Sequence, residues 1–419
     1  GKKTVFHRNQ FGGVLGFPIV RNKFFGFVSV DETRNTGGGT FTRDVPLPFE
    51  RDPNNWFQES PENDTPENRA FIQSVMDRFA GVLPNDPANR SPRTFVGVQG
   101  TDFPANDYSI RLDWNATSKD TLFARWQYTR QIFKADDLIL GERADQNNKQ
   151  QNYGLTWTHI FSNDVVGEFR YGLGLRNTLV NITAGNDTPV MRFQNPDPVV
   201  SASIIGNAGA FPIQRYQTDN QFVYNLSTIF GNHFVKSGVD LRFQVLDDLA
   251  DSFSRGFYSF NGTCNNYVDP TPPAGTVDVL PGYRDPRTAT AANPQGNLSG
   301  FLALINGCVS QYQKGYGPFF LENRIGESNF YIEDSWKVRS NLTLNIGARY
   351  EYVNAPREVN GLIEYGFSDD KNNIEPRVGF AYSPNFEGGF LGSLFGREGQ
   401  SSIRAGYGIY HGRMFQSVF

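Results

Sequence analysis

The sequence predicts an all-β protein, an antiparallel up-and-down transmembrane β-barrel, from three observations: recurring period-two alternation, connections that alternate between short and long, and an aromatic-rich composition. Composition comes first, because it separates a barrel from a soluble domain of the same 419 residues. Apolar residues are 38% and charged residues 20%, yet aromatics reach 14%, supplied by 37 Phe, 18 Tyr and 5 Trp. A soluble core of this size draws mainly on Leu, Ile and Val, whereas a transmembrane barrel concentrates rings in girdles at its two membrane interfaces. No stretch approaches the roughly 20 consecutive apolar residues of a spanning helix, and mean hydropathy is −0.47. If this chain crosses a membrane, it crosses with strands.

Strict alternation is what a strand with two different environments must show. Over 342–352, Leu342, Leu344, Ile346, Ala348, Tyr350 and Tyr352 share one face, and Thr343, Asn345, Gly347, Arg349 and Glu351 the other. Tyr108, Ile110, Leu112 and Trp114 alternate in the same way with Ser109, Arg111, Asp113 and Asn115. Leu122, Ala124, Trp126 and Tyr128 oppose Arg125, Gln127 and Thr129, and Val239, Leu241, Phe243 and Val245 oppose Asp240, Arg242 and Gln244. Ile403, Ala405, Tyr407 and Ile409 oppose Arg404.

About twelve candidate strands read this way. Their apolar faces place Tyr108, Trp114, Trp126, Tyr128, Tyr350, Tyr352, Phe380, Tyr382 and Tyr407 towards the membrane. Their polar faces carry Arg111, Arg125, Arg170, Arg242, Arg349, Arg377 and Arg404, with Asp113, Glu168, Asp240 and Glu351 beside them. A charge facing lipid at mid-depth costs roughly 2 to 4 kcal/mol, so these belong in a lumen. There they form either a salt-bridge ladder that sets register or a surface that contacts a plug or an anionic solute.

A soluble sandwich also alternates, so the connections decide. The short ones cover 20–22, 116–120, 162–164, 231–233 and 339–341, and between them lie polar stretches at 33–105, 129–152, 176–221, 246–329 and 353–373. This segregation puts all the large loops on one side, the outer-membrane pattern of short periplasmic turns and long extracellular loops. A sixth turn, 383–402, breaks it with the apolar run Phe390, Leu391, Leu394 and Phe395, either an inserted hairpin tip or an interfacial segment. In the first loop, Thr65, Pro66 and Glu67 signal a helix start, with Phe71, Ile72, Val75, Met76, Phe79 and Leu83 at helical spacing after it. That helix is expected to pack its loop onto the neighbouring loops, a mobile lid being the alternative. The run Gly37, Gly38, Gly39 reads as a flexible link.

The order of motifs resembles Oar-like TonB-dependent outer-membrane transporters. The opening, Asn9, Gln10, Phe11, Gly12, Gly13, Val14, Leu15, Gly16, Phe17, Pro18, Ile19, Val20, Arg21, Asn22, Lys23, Phe24, Phe25, is similar to the family's first barrel hairpin, with Phe17 where a second glycine is usual. Phe330, Tyr331, Ile332, Glu333, Asp334, Ser335, Trp336, Lys337 and Val338, then Pro376 to Ala381, then Ile403 to Ile409, follow in the same order. The resemblance implies a barrel of about 22 strands closed around a plug and energised through the periplasm by a TonB-type complex. Residues 1–419 are then expected to be a partial barrel domain without plug, TonB box or C-terminal strands, with 33–105 and 246–329 as long extracellular loops. Expected partners are outer-membrane lipid, the plug of the same full-length chain, the energising complex and an unidentified solute. The rivals are a surface adhesion barrel, a closed twelve-strand pore or anchored enzyme, and a soluble sandwich; pairing of 10–17 with 403–410 would favour the closed twelve-strand barrel.

Little else in the chain suggests chemistry. No HExxH, CxxC, GxSxG or Walker loop occurs, and His7, His159, His233 and His411 are scattered, so no catalytic residue, cofactor or metal site is assigned. A net charge of −4 and a pI near 5.7 leave no basic surface for nucleic acid. Lys2 and Lys3 are not followed by an apolar run, as expected of a secreted chain without its leader. Cys264 and Cys308, 44 positions apart, form the candidate disulfide, worth about 3 to 4 kcal/mol by loop closure; two unrelated thiols are the alternative.

Overall fold

A computed structural model describes residues 6–58, 60–88, 92–194, 202–250, 253–260, 284–285, 297–397 and 399–412. The first strands are β1 (Phe6–Val20), β2 (Phe24–Asp44), β3 (Thr94–Asp102), β4 (Ala105–Asn115), β5 (Asp120–Ala135), β6 (Ala144–Ser162) and β7 (Val165–Ile182). Next come β8 (Val190–Gln194), β9 (Ala202–Ile205), β10 (Ile213–Phe230), β11 (His233–Ala250), β12 (Phe257–Phe260), β13 (Arg284–Asp285) and β14 (Asn297–Leu298). The last are β15 (Gln311–Gln313), β16 (Phe320–Arg339), β17 (Leu342–Val353), β18 (Arg357–Glu358), β19 (Asp370–Tyr382) and β20 (Ile403–Gly408). Three short helices interrupt them: α1 (Pro66–Met76), α2 (Gly300–Ile305) and α3 (Gly389–Phe395).

One antiparallel sheet of 14 strands dominates, with its path running from β1 to β20 in chain order. The excess over the expected twelve has a local cause. Beside β2, one strand is split at Phe103 and Pro104, so that β3 pairs with residues 36–44 and β4 with residues 24–33. Two-residue β18 adds the other. Gln10–Phe17 and Ile403–Tyr410 do not pair with each other: among the described residues β1 pairs with β2 alone, β20 with β19 alone.

Tight turns close the short ends by adopting backbone that most residues avoid. Asn22 has φ 61° and Gly231 φ 56°, the left-handed geometry that primed hairpin turns require. At the other end the strands run past their expected limits, β2 to Asp44, β5 to Ala135, β7 to Ile182 and β11 to Ala250. The glycine run is a correction of the same kind: Gly37, Gly38 and Gly39 lie inside β2, hydrogen-bonded in register to Thr101, Gly100 and Gln99. Ladder pairing persists there although the apolar-polar alternation fades, because above the apolar band the two faces no longer differ.

The hydrophobic core lies outside this sheet. Trp56, Phe57, Ile72, Val75, Met76, Phe79, Ile139, Phe193, Ile205, Phe260 and the α2 residues form one buried cluster drawn from four long connections. A second sheet, β15-β12-β8-β9, frames it. Helix α1 begins where expected, with Thr65 Oγ1 accepting from the Asn68 amide at 3.2 Å. Its Ile72, Val75 and Met76 are buried, so it packs its loop onto its neighbours. Leu83 leaves this pattern and is exposed, because the chain turns at Gly81 with φ 76°. We refer to this compact assembly of connections as the cap.

Candidate functional site

The register assigns every charged residue singled out above to one face. Arg111 stands opposite Arg125, and Arg125 opposite Gly154. Gly154 continues to Gly172, two residues from Arg170 on β7. Arg170 pairs with Val223, which faces Asp240 on β11, and Asp240 faces Asn329 and then Glu351. Two residues along, Arg349 and then Gly347 lead to Arg377 on β19, and Arg404 closes the series on β20. Since alternate residues share a face, Asp113, Glu168 and Arg242 complete the set.

Most of these charges satisfy one another locally. Arg111 pairs with Asp113 at 2.7 Å and Arg170 with Glu168 at 2.7 Å, and Arg349 reaches Glu351 at 3.3 Å. Arg125 donates to Gln127, and Arg404 to Ser402 at 3.2 Å. Arg377 bridges two carboxylates, Glu375 at 2.8 Å and Glu333 at 3.5 Å. One partner differs from expectation, since Asp240 accepts from Gln221 at 2.9 Å and Arg242 stands in register with Glu327. Sequence reasoning passed over Tyr331 and Asn225, whose 2.7 Å hydrogen bond belongs to the same network. Tyr331 stands at a polar position of the strand 320–339, so alternation carried that signal.

The nine aromatics lie on the opposite face. Tyr108 stacks beside Tyr128 at 6.1 Å and Trp126 beside Tyr128 at 6.3 Å, towards the cap, and Tyr350 and Tyr352 also lie at the cap end of β17. Trp114, Phe380 and Tyr382 lie towards the short turns, with Tyr407 between. Much of this face is open, including Ile110, Trp157, Phe330, Ile332, Ile346 and Val378. An apolar surface of this extent does not suit water. Two of the scattered histidines join its turn-side girdle: His159 Nδ1 lies 2.6 Å from Asp120 and His233 Nδ1 2.7 Å from Asp334. His233 is stacked between Phe230 and Trp336.

A family model described as an outer membrane beta barrel domain matches residues 1–370. The chain belongs to the outer-membrane β-barrel domain family. No curated protein matches it. Among solved structures it is similar to the outer membrane transporter YddB from Escherichia coli, with 14% identity, a TM-score of 0.50, and coverage of 97% of this chain and 39% of that one. It also matches the ferripyoverdine-type receptor FpvA of Pseudomonas aeruginosa at 12% identity and TM-score 0.42, covering 90% and 40%. The alcaligin receptor FauA from Bordetella pertussis matches at 10% and 0.40, covering 90% and 41%. The chain thus spans about two fifths of the length of these structures, and what it shares with YddB is the fold.

In this outer-membrane barrel the depth of the band is consistent with a bilayer. Residues 342–352 span about 33 Å along the strand, about 23 Å of depth at a 45° tilt. Above it the cap is held by charge buried in its interior. Arg93 donates to both oxygens of Glu50, at 2.6 and 2.7 Å, with side chains 3% and 0% exposed, and to Ser299 at 3.0 Å. The Leu47 amide donates to the same Glu50 at 2.7 Å. These residues lie far apart in unpatterned stretches, so no local signal marks them. Arg255 ties other connections together, donating to carbonyls of Phe211 at 2.7 Å and Ala208 at 2.8 Å. Cys308 is buried and disulfide-bonded; Cys264 lies outside the described residues.

Proposed function

We propose that this chain is barrel wall and extracellular cap of a TonB-dependent, Oar-like transporter that takes up an unidentified solute across the outer membrane. One observation carries the reading: every charged residue singled out from the alternating segments lies on one sheet face, every girdle aromatic on the other, and all long connections gather at one end. The apolar face meets lipid, and the polar face lines a lumen. The ladder of Arg111–Asp113, Arg170–Glu168 and Arg349–Glu351 holds that lumen in register, and its remaining capacity faces a plug and the passing solute. The cap captures the solute from outside, and a TonB-type complex energises release from the periplasm.

The two sheet edges, unpaired among the described residues, support a wall that continues into further strands, in keeping with a barrel of about 22. The likeness to an outer membrane transporter supports transport over adhesion. The test compares solute depletion from a complex medium by cells with and without the intact gene, in backgrounds with and without a working TonB complex. Transport predicts at least one solute whose depletion needs both. Depletion profiles that match in all backgrounds, with cell attachment lost instead, would establish the adhesion barrel. Impermeant thiol labelling fixes orientation: Leu83→Cys should react in intact cells, and Asn232→Cys only after the outer membrane is opened.

A further inference from the structure

Five of the six connections at the end away from the cap are short and polar, as turns in water are: Arg21-Asn22-Lys23, the run from Ala116 to Lys119, Asn163-Asp164, Gly231-Asn232 and Ser340-Asn341. The sixth is not. Between β19 and β20 the chain forms α3, in which Phe390 is 80% exposed and Leu394 59%, with Leu391 open beside them. No charged residue occurs from Gly388 to Gly396, and Glu387 and Arg397 flank the run.

This tip stands on a fixed base. The Phe386 amide donates to the Gly396 carbonyl at 3.0 Å, Ser383 Oγ to the Ser401 carbonyl at 2.9 Å, and the Ser383 amide to Asn341 of the neighbouring turn at 2.8 Å. Phe386 and Phe395 rings meet at 6.1 Å. The base rises directly from the turn-side girdle, where Tyr382 pairs with Ile403 on the apolar face. The exposed α3 side chains are therefore continuous with the surface that the family places in the outer membrane.

We propose that α3 is an interfacial anchor, inserted among the lipids of the periplasmic leaflet beside the β19–β20 hairpin. Its occupant is acyl chain and inner headgroup region, argued from this continuity, from the lack of charge and from a base that cannot fold the apolar side chains inwards. The inference rests on the lipid-facing reading of the sheet, so the experiment carries a control for it.

Nitroxide labels are attached to Phe390→Cys, Leu394→Cys, Ile346→Cys on the apolar sheet face and Leu362→Cys in a long connection, in full-length protein reconstituted in phosphatidylethanolamine and phosphatidylglycerol vesicles. Cys308 is disulfide-bonded and does not compete for the label. Oxygen, which partitions into lipid, should relax labels 390, 394 and 346 more than a water-soluble nickel chelate does, and label 362 should show the reverse. Nickel dominating at 390 and 394 with oxygen at 346 would place α3 in water and overturn the anchor alone. Labels 390 and 394 shielded from both agents would mean that protein, not lipid, covers α3. Nickel dominating at 346 as well would overturn the sheet reading on which the anchor stands.

Discussion

At the scale of single residues, two kinds of ion pair in this chain should behave oppositely. Arg111–Asp113 is exposed on both partners and sits at 2.7 Å, the kind of pair worth at most about 1 kcal/mol. Glu50–Arg93 is sealed in the cap, and removing one partner strands the other in a dry interior at about 3 to 5 kcal/mol. Arg93→Met should therefore raise proteolysis and hydrogen exchange across α1 and α2 while the long strands stay protected, and Arg111→Gln should leave both unchanged. Protection lost equally by the strands would show that the cap does not open independently. The Asp369 carboxylate offers a pH probe at the cap end. Hydrogen bonds from the Ala355 amide and the Tyr352 hydroxyl hold its pKa below the usual carboxylate value. A depressed carboxylate stabilises at pH above its unfolded value of about 4, and the contribution fades as pH falls through the lower folded value. The Ala355 amide chemical shift should be flat at neutral pH and move only in acid below about pH 4, and Asp369→Asn should abolish the movement.

At the scale of elements, the hairpins were legible because their physics is local. Gly231 with φ 56° is where a two-residue turn needs left-handed backbone, so Gly231→Val should cost about 1 to 2 kcal/mol or more. The cost should appear as slower assembly of β10 with β11, read by the loss of heat-modifiable mobility on gels. Alternation placed strands wherever the two faces differ in polarity, which is why 342–352 was recognisable to within one residue of the strand Leu342–Val353. It lost them where both faces share one environment, as at Gly37 to Gly39, which read as a link and is a strand. Helix α1 was visible through Thr65, Pro66 and the spacing of Ile72, Val75 and Met76. The cap that receives it was not, because contacts such as Phe79 on Phe301 join residues far apart in the chain. Arg93, Glu50 and Ser299 were hidden for the same reason.

At the scale of the whole molecule, the proposed arrangement inverts that of a usual folded protein: the apolar sheet face is turned outwards to lipid, the arginine ladder lies on the other face, and the buried cluster is confined to the cap. The sharpest check of this inversion is a matched pair of arginines at neighbouring positions. Ile346 and Asn345 occupy the same depth on β17 and opposite faces. Ile346 is exposed on the apolar face, and Asn345 accepts from Ser335 at 2.8 Å on the polar one. Ile346→Arg forces a guanidinium into lipid near mid-depth, at roughly 2 to 4 kcal/mol. Asn345→Arg gives up one hydrogen bond, about 1 kcal/mol, and adds a cation to a face that already carries Glu333 and Glu351. Equilibrium refolding into phospholipid vesicles under urea should therefore separate the variants, with Ile346→Arg the less stable. The gap should vanish in short-chain detergent, where bulk lipid no longer holds a fixed depth. Equal losses in vesicles would mean that both faces meet the same solvent, and the barrel with lipid outside and polar lumen inside would have to be abandoned.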